Sequence, residues 1–382
     1  MSADLSDLRP VHVVGIGLHP YRRGSETPYV DLGLTAVREA LADAGMAWAD
    51  VESSFVGNVN LGFASGRVML RHLGATGIPM AQVENASASG STAFAQACLD
   101  VASGIREVSL ALGVDKPALP DLAPTKTGIR DLTASRLLPV AHFALLADEY
   151  MHRYGHRAED LAAVAVKNHH NGALNPNAQR RRTRTLDEVM GEAPLAGVLT
   201  RLQCCPIGEG AAAAIVASDD AIDRLALDPA RAVRVLASVT RTERVYAAGH
   251  DHDAALTAET GALAFGQAGI SPQEIDVLEV HDAFSIEELL YIEALGLCDP
   301  GTAPLRLSQG AWEIGGECAV SPSGGLLAMG HPIGPTGVGQ IVEITRQLRG
   351  EAAPRQHPGS RIGLAHMVGV GAVCVIHILA AR

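Results

Sequence analysis

Four polar turns hold the residues of this sequence that are best suited to chemistry. One of them, at residues 85–90, places Ser87 directly before a predicted helix. A hydroxyl at that place is either an ordinary helix cap or a nucleophile, because free N–H groups and the positive end of the helix dipole favour its developing anion. Judged by this turn alone, the cap is the more common role.

The other three turns each carry an imidazole. His281 follows a predicted strand, and α/β proteins place their ligands at the ends of parallel strands. His331 lies among four glycines and two prolines, which fix the backbone and let a ligand come close. His366 precedes a turn that is interrupted by glycines. We therefore predict that Ser87 and the three histidines converge on one site.

The composition indicates that these turns connect the helices and strands of an α/β protein. Of the 382 residues, 47% are hydrophobic and 19% are charged, which excludes a disordered chain. Only 4% are aromatic, so the core has to consist of small and aliphatic side chains, as where helices pack closely on a sheet. The net charge of −12 is opposite to what a phosphate-backbone binder needs, so we expect no nucleic acid partner.

Cysteine usage and hydropathy predict a cytoplasmic protein without a metal site. The six cysteines form no C-x-x-C pair, which is typical of reduced thiols. No signal peptide and no run of about 18 apolar residues is present, so we expect no membrane contact. Cysteine or carboxylate spacing of a metal site is missing around the candidate histidines, His169, His170, His250 and His252.

The order of predicted elements repeats along the chain. An Ala-Gly pair that ends a helix at residues 44–45 returns at residues 268–269, and aligning the two pairs superimposes DVESSFV on EIDVLEV. We interpret this as a duplication of two βαβ-containing halves, with chance similarity as the alternative. We predict an N-terminal half at residues 1–255 and a C-terminal half at residues 256–382.

A polar insertion interrupts the N-terminal half at about residues 115–200. It contains a helical run at residues 143–154 and the stretch KNHHNGALNPNAQRRRTR, which lacks an apolar pattern and is predicted to be loop. We expect this inserted loop domain to cover something. Its arginines are either a solvated basic surface, the more common case, or contacts to phosphate groups.

Four segments of the chain are long and specific enough to indicate a family: KNHHNGALNP, LQCCPIGEGAAAAIVAS, HDAFSIEELLYIEALGLC and PSGGLLAMGHPIGPTG. They resemble the thiolase superfamily, and most closely its sterol-carrier-protein type, also known as lipid-transfer proteins. The resemblance implies a duplicated α/β thiolase fold of layered αβαβα type, a loop domain for coenzyme A and a homodimer. It also implies a coenzyme A thioester as substrate and no permanently bound cofactor.

The sequence departs from this family where the family keeps its thiols. Ser87 stands at the position of the nucleophilic cysteine of the N-x-C-x-x-G-S turn. Ala283 replaces the second cysteine, which lies in HDCF of the sterol-carrier branch, and His366 lies near the place of the C-x-G cysteine of other thiolases. Ser321 replaces the asparagine of N-x-G-G. Both sulfur groups of ordinary thiolysis are therefore absent, and the Cys204–Cys205 pair matches a family pair regarded as structural.

The remaining family residues imply roles for the site. By resemblance, His331 takes the proton of the nucleophile and His281 holds a thioester carbonyl as its negative charge develops. His366 is an alternative base, and the backbone of Gly369 and Gly325 contributes to oxyanion binding. Coenzyme A contacts are implied for Arg182, Ser323 and Gly324.

Three functions are compatible with these residues. The leading one is an acyl-CoA C-acyltransferase that makes or breaks a C–C bond, with Ser87 as its nucleophile. The second is a retro-aldol lyase of β-hydroxyacyl-CoA, in which Ser87 only donates a hydrogen bond; thiolase-like aldolases of this kind work with a small OB-fold partner. The third is a non-catalytic acyl-CoA binder, which the retention of His281 and His331 disfavours.

Overall fold

A computed structural model describes residues 5–117, 138–246, 252–369 and 373–382. Within these ranges ten strands form one sheet and two short strands form a hairpin. The strands are β1 His12–Arg22, β2 Ser53–Gly57, β3 Met80–Val83, β4 Val108–Asp115, β5 Pro194–Ala196, β6 Leu199–Thr200, β7 Glu209–Ala217, β8 Val233–Thr242, β9 Val277–Glu279, β10 Ala319–Val320, β11 Ile362–Gly369 and β12 Val373–Ala380.

The helices of the described part cover both faces of the sheet and connect its strands. They are α1 Tyr29–Ala44, α2 Ser65–Leu70, α3 Ser89–Ala102, α4 Pro139–Tyr154, α5 Ala158–Leu174, α6 Leu186–Met190, α7 Asp219–Arg224, α8 His252–Ala268, α9 Ser285–Ala294, α10 Ala303–Ser308, α11 Gly325–Met329 and α12 Thr336–Leu348. None of these helices is long and apolar enough to cross a bilayer.

The strand order shows the duplication directly. The sheet runs β10-β9-β11-β12-β8-β1-β7-β4-β2-β3, so each half has the same five-strand order, read outward from the junction of β1 with β8. The junction is short: only His12 and Val13 pair with β8, antiparallel to Arg234 and Val233. DVESSFV and EIDVLEV lead into equivalent strands, β2 and β9. The same strand order thus begins with β1 and begins again with β8. The predicted division between residues 255 and 256 stays a prediction.

The helices and the two halves of the sheet make five layers. α1 packs on β1 and β7, and α8 packs on β8 and β12, so these helices form the outer layers. α3 and α12 pack on each other and on strands of both halves, which makes them the central layer. Small residues allow this packing, because all nine residues of β7, GAAAAIVA after Glu209, are buried. The predicted layered αβαβα arrangement with an insertion is confirmed.

The insertion between β4 and β7 is more regular than its sequence indicates. The helical run at residues 143–154 is part of α4. The KNHHNGAL segment, predicted to be loop, is the C-terminal part of α5. All of its polar side chains except His170 are buried. Asn168 donates to Asp282 (2.7 Å) and Asn171 donates to the carbonyl oxygen of Ser321 (3.1 Å). Because buried polar groups replace the apolar face, the helix shows no apolar periodicity.

Candidate active site

Ser87 lies in a tight turn directly before α3, at the inner end of the central layer. Ala86 has a left-handed backbone (φ 48°), and Ser89 Oγ accepts the N–H of Asn85 (2.9 Å) and donates to the carbonyl oxygen of Ala86 (2.7 Å). These bonds hold the turn, so the Ser87 hydroxyl is used elsewhere. Ser87 is buried, and its Oγ lies 3.1 Å from His331 Nε2. The structure thus gives Ser87 an imidazole partner instead of the commoner role as a cap.

Thr336 fixes which nitrogen of His331 carries the proton. His331 Nδ1 lies 2.8 Å from Thr336 Oγ1, and that hydroxyl donates its only hydrogen to the carbonyl oxygen of Pro332 (2.6 Å). Thr336 Oγ1 must therefore accept a hydrogen from Nδ1. Nε2 is left with a free lone pair, and the hydroxyl of Ser87 donates to it. Activation of a hydroxyl by a general base requires a hydrogen bond of this kind.

The environment keeps His331 neutral. Burial, with the nearby His281 as a smaller cause, lowers the pKa of His331 to about 3. A cationic imidazolium would lose its hydration there, so the neutral ring is favoured. The Nε2 lone pair is consequently available at any physiological pH.

His281 lies beside His331, but only one of its two ring nitrogens has a hydrogen-bond partner among the described residues. The two rings meet edge to face, with centroids 5.5 Å apart. His281 Nδ1 lies 3.0 Å from Glu287 Oε1, inside the first turn of α9. His281 Nε2 is buried and has no hydrogen-bond partner within the described residues. A polar atom in this state is the position where a substrate oxygen would be expected to bind.

His366 lies inside β11 rather than in a turn, and both of its nitrogens are used. Its Nδ1 accepts the backbone N–H of His281 (3.4 Å), so Nε2 carries the proton and donates to Thr257 Oγ1 (3.0 Å). The ring is fully buried, which lowers its pKa well below the ordinary value. The structure therefore brings His366 next to the site as a support of the His281 backbone, and not as a free base.

Gly369 and Gly325, the two glycines predicted to bind an oxyanion through their backbone, lie in different surroundings. The backbone of Gly369 lies against the carbonyl group of Asn85, so closely that a side chain at residue 369 would clash with it and with Val373. Gly369 is thus adjacent to the turn of Ser87. The N–H of Gly325, in contrast, donates to Ser323 Oγ (3.2 Å), so that group is already satisfied.

The residues predicted to contact coenzyme A have structural partners. Ser323 is buried and donates from Oγ to Glu279 (2.7 Å), and Gly324 packs against Gly172 of α5. The side chain of Arg182 is 71% exposed and pairs with Glu188 on the surface (2.8 Å). None of the three is placed with its polar atoms free toward Ser87.

A groove rich in arginine lies beside the site instead. Its volume is about 710 Å³, and none of its lining residues is acidic. Pro206 connects it to the site, because the carbonyl oxygen of Pro206 accepts the N–H of His331 (3.0 Å). Arg23 and Arg181 have no ion-pair partner among the described residues, whereas Arg201 pairs with Glu192. The lining consists of Pro20, Tyr21, Arg22, Arg23, Pro176, Ala178, Gln179, Arg180, Arg181, Arg201, Pro206 and Ile207.

The cysteine pair beside the site does not restore a free nucleophile. The N–H of Cys205 donates to the carbonyl oxygen of Ala283 (2.8 Å). The backbone of Cys204 forms an isolated antiparallel β-bridge with the backbone of Phe284. Burial raises the pKa of the Cys205 thiol far above its ordinary value, which disfavours the thiolate. These contacts agree with a role of the pair in packing the insertion onto the strand end that carries His281.

Glu287 and Thr336 are the partners of the site histidines that the sequence analysis missed. Both follow their histidine within one turn of the next helix, five residues after His331 and six after His281. A histidine followed at this spacing by an acceptor in the first helical turn is a detectable, though weak, signal. No group of three or more His, Cys, Asp or Glu in the described ranges is arranged to hold a metal ion, and His250 lies outside these ranges.

Comparison with known proteins gives a consistent result. The family model "Thiolase, N-terminal domain" matches residues 21–220, and "Thiolase C-terminal domain-like" matches residues 239–381. Sterol carrier protein 2 of Gallus gallus is 37% identical over 97% of the chain and 72% of its own length. The benzoylsuccinyl-CoA thiolase subunit BbsB of Thauera aromatica is 34% identical over 95% of both. The solved Ltp2-ChsH2(DUF35) aldolase has a TM-score of 0.83 at 24% identity, covering 97% of this chain and 98% of that one, which is a likeness in fold.

Proposed function

The chain belongs to the thiolase family, and on that premise we propose that it is an acyl-CoA C-acyltransferase in which Ser87 receives the acyl group. The observation that carries the proposal is the hydrogen bond of Ser87 Oγ to the unprotonated Nε2 of His331, at the N-terminal end of α3. The name of the relative from Thauera aromatica, a benzoylsuccinyl-CoA thiolase subunit, supports a coenzyme A thioester as the substrate class.

In acyl transfer to Ser87, Ser87 and His331 account for every bond made and broken and for the proton that moves. Ser87 Oγ bonds to the acyl carbon of a thioester and its proton moves to His331 Nε2. The N–H of Ser87 and the backbone of Gly369 stabilise the oxyanion. The C–S bond then breaks, and His331 returns the proton to the sulfur of coenzyme A. The product is an ester of Ser87, which a carbon nucleophile or another thiol can take over.

Cleavage of a β-ketoacyl-CoA uses the same groups. Ser87 attacks the β-carbonyl carbon, the Cα–Cβ bond breaks, and the enolate oxygen of the shorter thioester is held at His281 Nε2. Since Ala283 leaves no thiol at the family's second position, His331 is the group that can protonate the enolate carbon. A serine ester gives up its acyl group to a thiol less readily than a thioester does, so we expect slow turnover.

The arginine groove fits the phosphate groups of coenzyme A better than Arg182 does. Arg23 and Arg181 face an acid-free surface that reaches the site through Pro206. Guanidinium groups bind phosphate through several N–H donors at once, and unpaired ones do so without first breaking an ion pair. We therefore place the phosphorylated end of coenzyme A in this groove.

We also propose a homodimer in the cytoplasm that works with a small OB-fold partner protein. β3 is an edge strand of the large sheet and its residues are partly or fully exposed, which favours pairing with a second copy. All six cysteines are free thiols, as in a reducing compartment. The relative from Thauera aromatica is named a subunit, and this supports a partner protein.

A retro-aldol lyase is the second candidate, and the loss of a thiol at Ala283 favours it. His331 would take the hydroxyl proton of a β-hydroxyacyl-CoA, the Cα–Cβ bond would break, and a carbonyl compound would leave. His281 would hold the enolate oxygen and His331 would return the proton to carbon. This route needs no bond to Ser87, which would act only as a hydrogen-bond donor.

Intact-protein and peptide mass spectrometry after incubation with short- and medium-chain acyl-CoAs separates the two candidates. We expect an acyl mass on the peptide of Ser87, absent in Ser87→Ala. Ser87→Cys should acylate and pass its acyl group to coenzyme A faster, because the thiol is far more acidic than the hydroxyl. If no adduct forms while Ser87→Ala still cleaves a β-hydroxyacyl-CoA, the lyase is correct and the acyltransferase is wrong.

A further inference from the structure

Glu287 is the hydrogen-bond partner of His281, a contact that the sequence analysis does not predict. Its carboxylate is completely buried at the start of α9. Oε1 accepts from His281 Nδ1 (3.0 Å) and from the hydroxyl of Tyr291 (3.1 Å), and Oε2 accepts the N–H of Phe284 (2.8 Å). These bonds orient the carboxylate toward a single imidazole.

The described residues offer Glu287 no counter-charge other than His281. No lysine or arginine of the described ranges is bonded to Glu287, and an unpaired buried carboxylate is costly. Burial raises the pKa of Glu287, while the neighbouring His281 acts in the opposite direction and favours the carboxylate. A proton on both nitrogens of His281 therefore stabilises the pair.

The protonation of His281 decides what its Nε2 can bind. A neutral ring with its proton on Nδ1 has a bare Nε2, which repels a carbonyl or enolate oxygen. A ring with protons on both nitrogens donates from Nε2, and as a cation it donates strongly. Nε2 is the buried atom that lacks a partner. The protonation state of His281 therefore decides whether this atom can donate a hydrogen bond to a substrate oxygen.

We propose that Glu287 is a positioning residue that keeps His281 doubly protonated, so that Nε2 donates to the thioester oxygen while the neighbouring His331 stays neutral. The proposal rests on the proposed function of this site. Two imidazoles 5.5 Å apart are driven to opposite protonation states by their second partners, a carboxylate for His281 and a hydroxyl for His331. The site thereby holds an acid and a base side by side.

The other groups around His281 are compatible with this assignment. His331 and His366 face it from the segment before α12 and from β11, and both are held neutral by burial. Asp282 is turned away, because its carboxylate accepts the N–H of Leu326 in α11 (2.6 Å). Asp253 of α8 acts electrostatically on Glu287 and raises its pKa, which makes the carboxylate a stronger partner for a proton.

Nitrogen-15 NMR of histidine-labelled protein tests the proposal without relying on turnover. With the His281 signal assigned by His281→Asn, the wild-type protein at pH 7 should show both ring nitrogens protonated. Glu287→Gln keeps the shape and removes the charge, and should show one bare nitrogen. Tyr291→Phe is the matched control, since it removes the other hydrogen bond to the same carboxylate oxygen and keeps the charge, so both nitrogens should stay protonated.

The pH profile of acyl transfer provides the second readout. In Glu287→Gln the basic limb should move to lower pH by about one unit or more, whereas a merely structural role would lower the rate equally at all pH values. A bare nitrogen on wild-type His281 at pH 7 overturns the proposal even where Glu287→Gln fails to fold. Failure of the proposed function would appear separately, as a missing Ser87 adduct beside a doubly protonated His281.

Discussion

Two hydroxyl groups decide what His331 is able to do. On one side Ser87 donates to Nε2, and on the other side Thr336 accepts from Nδ1. Because the Thr336 hydroxyl donates its only hydrogen to the carbonyl oxygen of Pro332, it can act toward His331 Nδ1 only as an acceptor. A base built in this way keeps a single tautomer without a carboxylate and without acquiring charge.

We predict that Thr336→Val lowers the rate of Ser87 acylation by about a hundredfold, the lower range of a general base contribution. Valine has the shape of threonine but leaves Nδ1–H unsatisfied, which also costs about 1–3 kcal/mol of stability. The rate is measured by time-resolved mass spectrometry, with urea unfolding for stability. Thr336→Ser retains the hydroxyl and should stay near the wild type. Equal rates in the valine and serine variants would contradict the role of Thr336.

At the scale of elements, the crossing of α3 and α12 brings Ser87 to His331. α3 follows Ser87 directly, and α12 begins five residues after His331. The two helices touch at Gly337, where a side-chain carbon would lie 2.6 Å from the backbone nitrogen of Ser91. The approach of the two helices therefore depends on a missing side chain, and the distance between Ser87 Oγ and His331 Nε2 depends on that approach.

We predict that Gly337→Ala pushes α3 and α12 apart, with a loss of about 1–3 kcal/mol of unfolding free energy and a slower acylation of Ser87. Urea unfolding and the mass-spectrometric rate measure the two effects. Gly266→Ala is the control in the exposed part of α8, where nothing lies within 4 Å of the added carbon. That variant should gain about 0.5–1 kcal/mol. A Gly337 variant as stable as the control would show that the crossing tolerates expansion.

At the scale of the whole molecule, the charge distribution is uneven. The chain carries a net charge of −12, which by itself repels a substrate with phosphate groups. The groove next to His331 is lined by five arginines and no acid. It is assembled from the end of β1 and from the insertion, so distant parts of the chain together provide a local attraction in an acidic protein.

We predict that Arg181→Gln and Arg23→Gln each raise the KM for an acyl-CoA by about tenfold, the loss of one charged hydrogen bond. With an acyl-pantetheine thioester, which lacks the nucleotide phosphates, both variants should match the wild type. Arg182→Gln is the control, because that side chain pairs with Glu188 outside the groove. A larger effect in Arg182→Gln than in Arg181→Gln would restore the assignment made from the sequence.

Much of the fold and part of the site are predictable from the sequence, because their signals are local. The helix-ending Ala-Gly pairs and the alternation of strands and helices indicate the duplication. The turn before α3 and the glycines around His331 mark two contributors to the site. The polar part of α5 was wrongly predicted to be loop, since its inward side chains bond to buried groups of the C-terminal half instead of forming an apolar face.

The sequence alone determined which residue types occupy the turns: a serine where the family has a nucleophilic cysteine, an alanine at the second thiol, and a histidine in each of the other three turns. Tertiary structure alone decided which of these meet and in what protonation state. Ser87 and His331 are 244 residues apart, so only the crossing of α3 and α12 joins them. His366 turned out to support His281 from inside β11, because strand pairing buries it and both nitrogens find partners. Proton positions depend on neighbouring atoms, and those neighbours are fixed by packing.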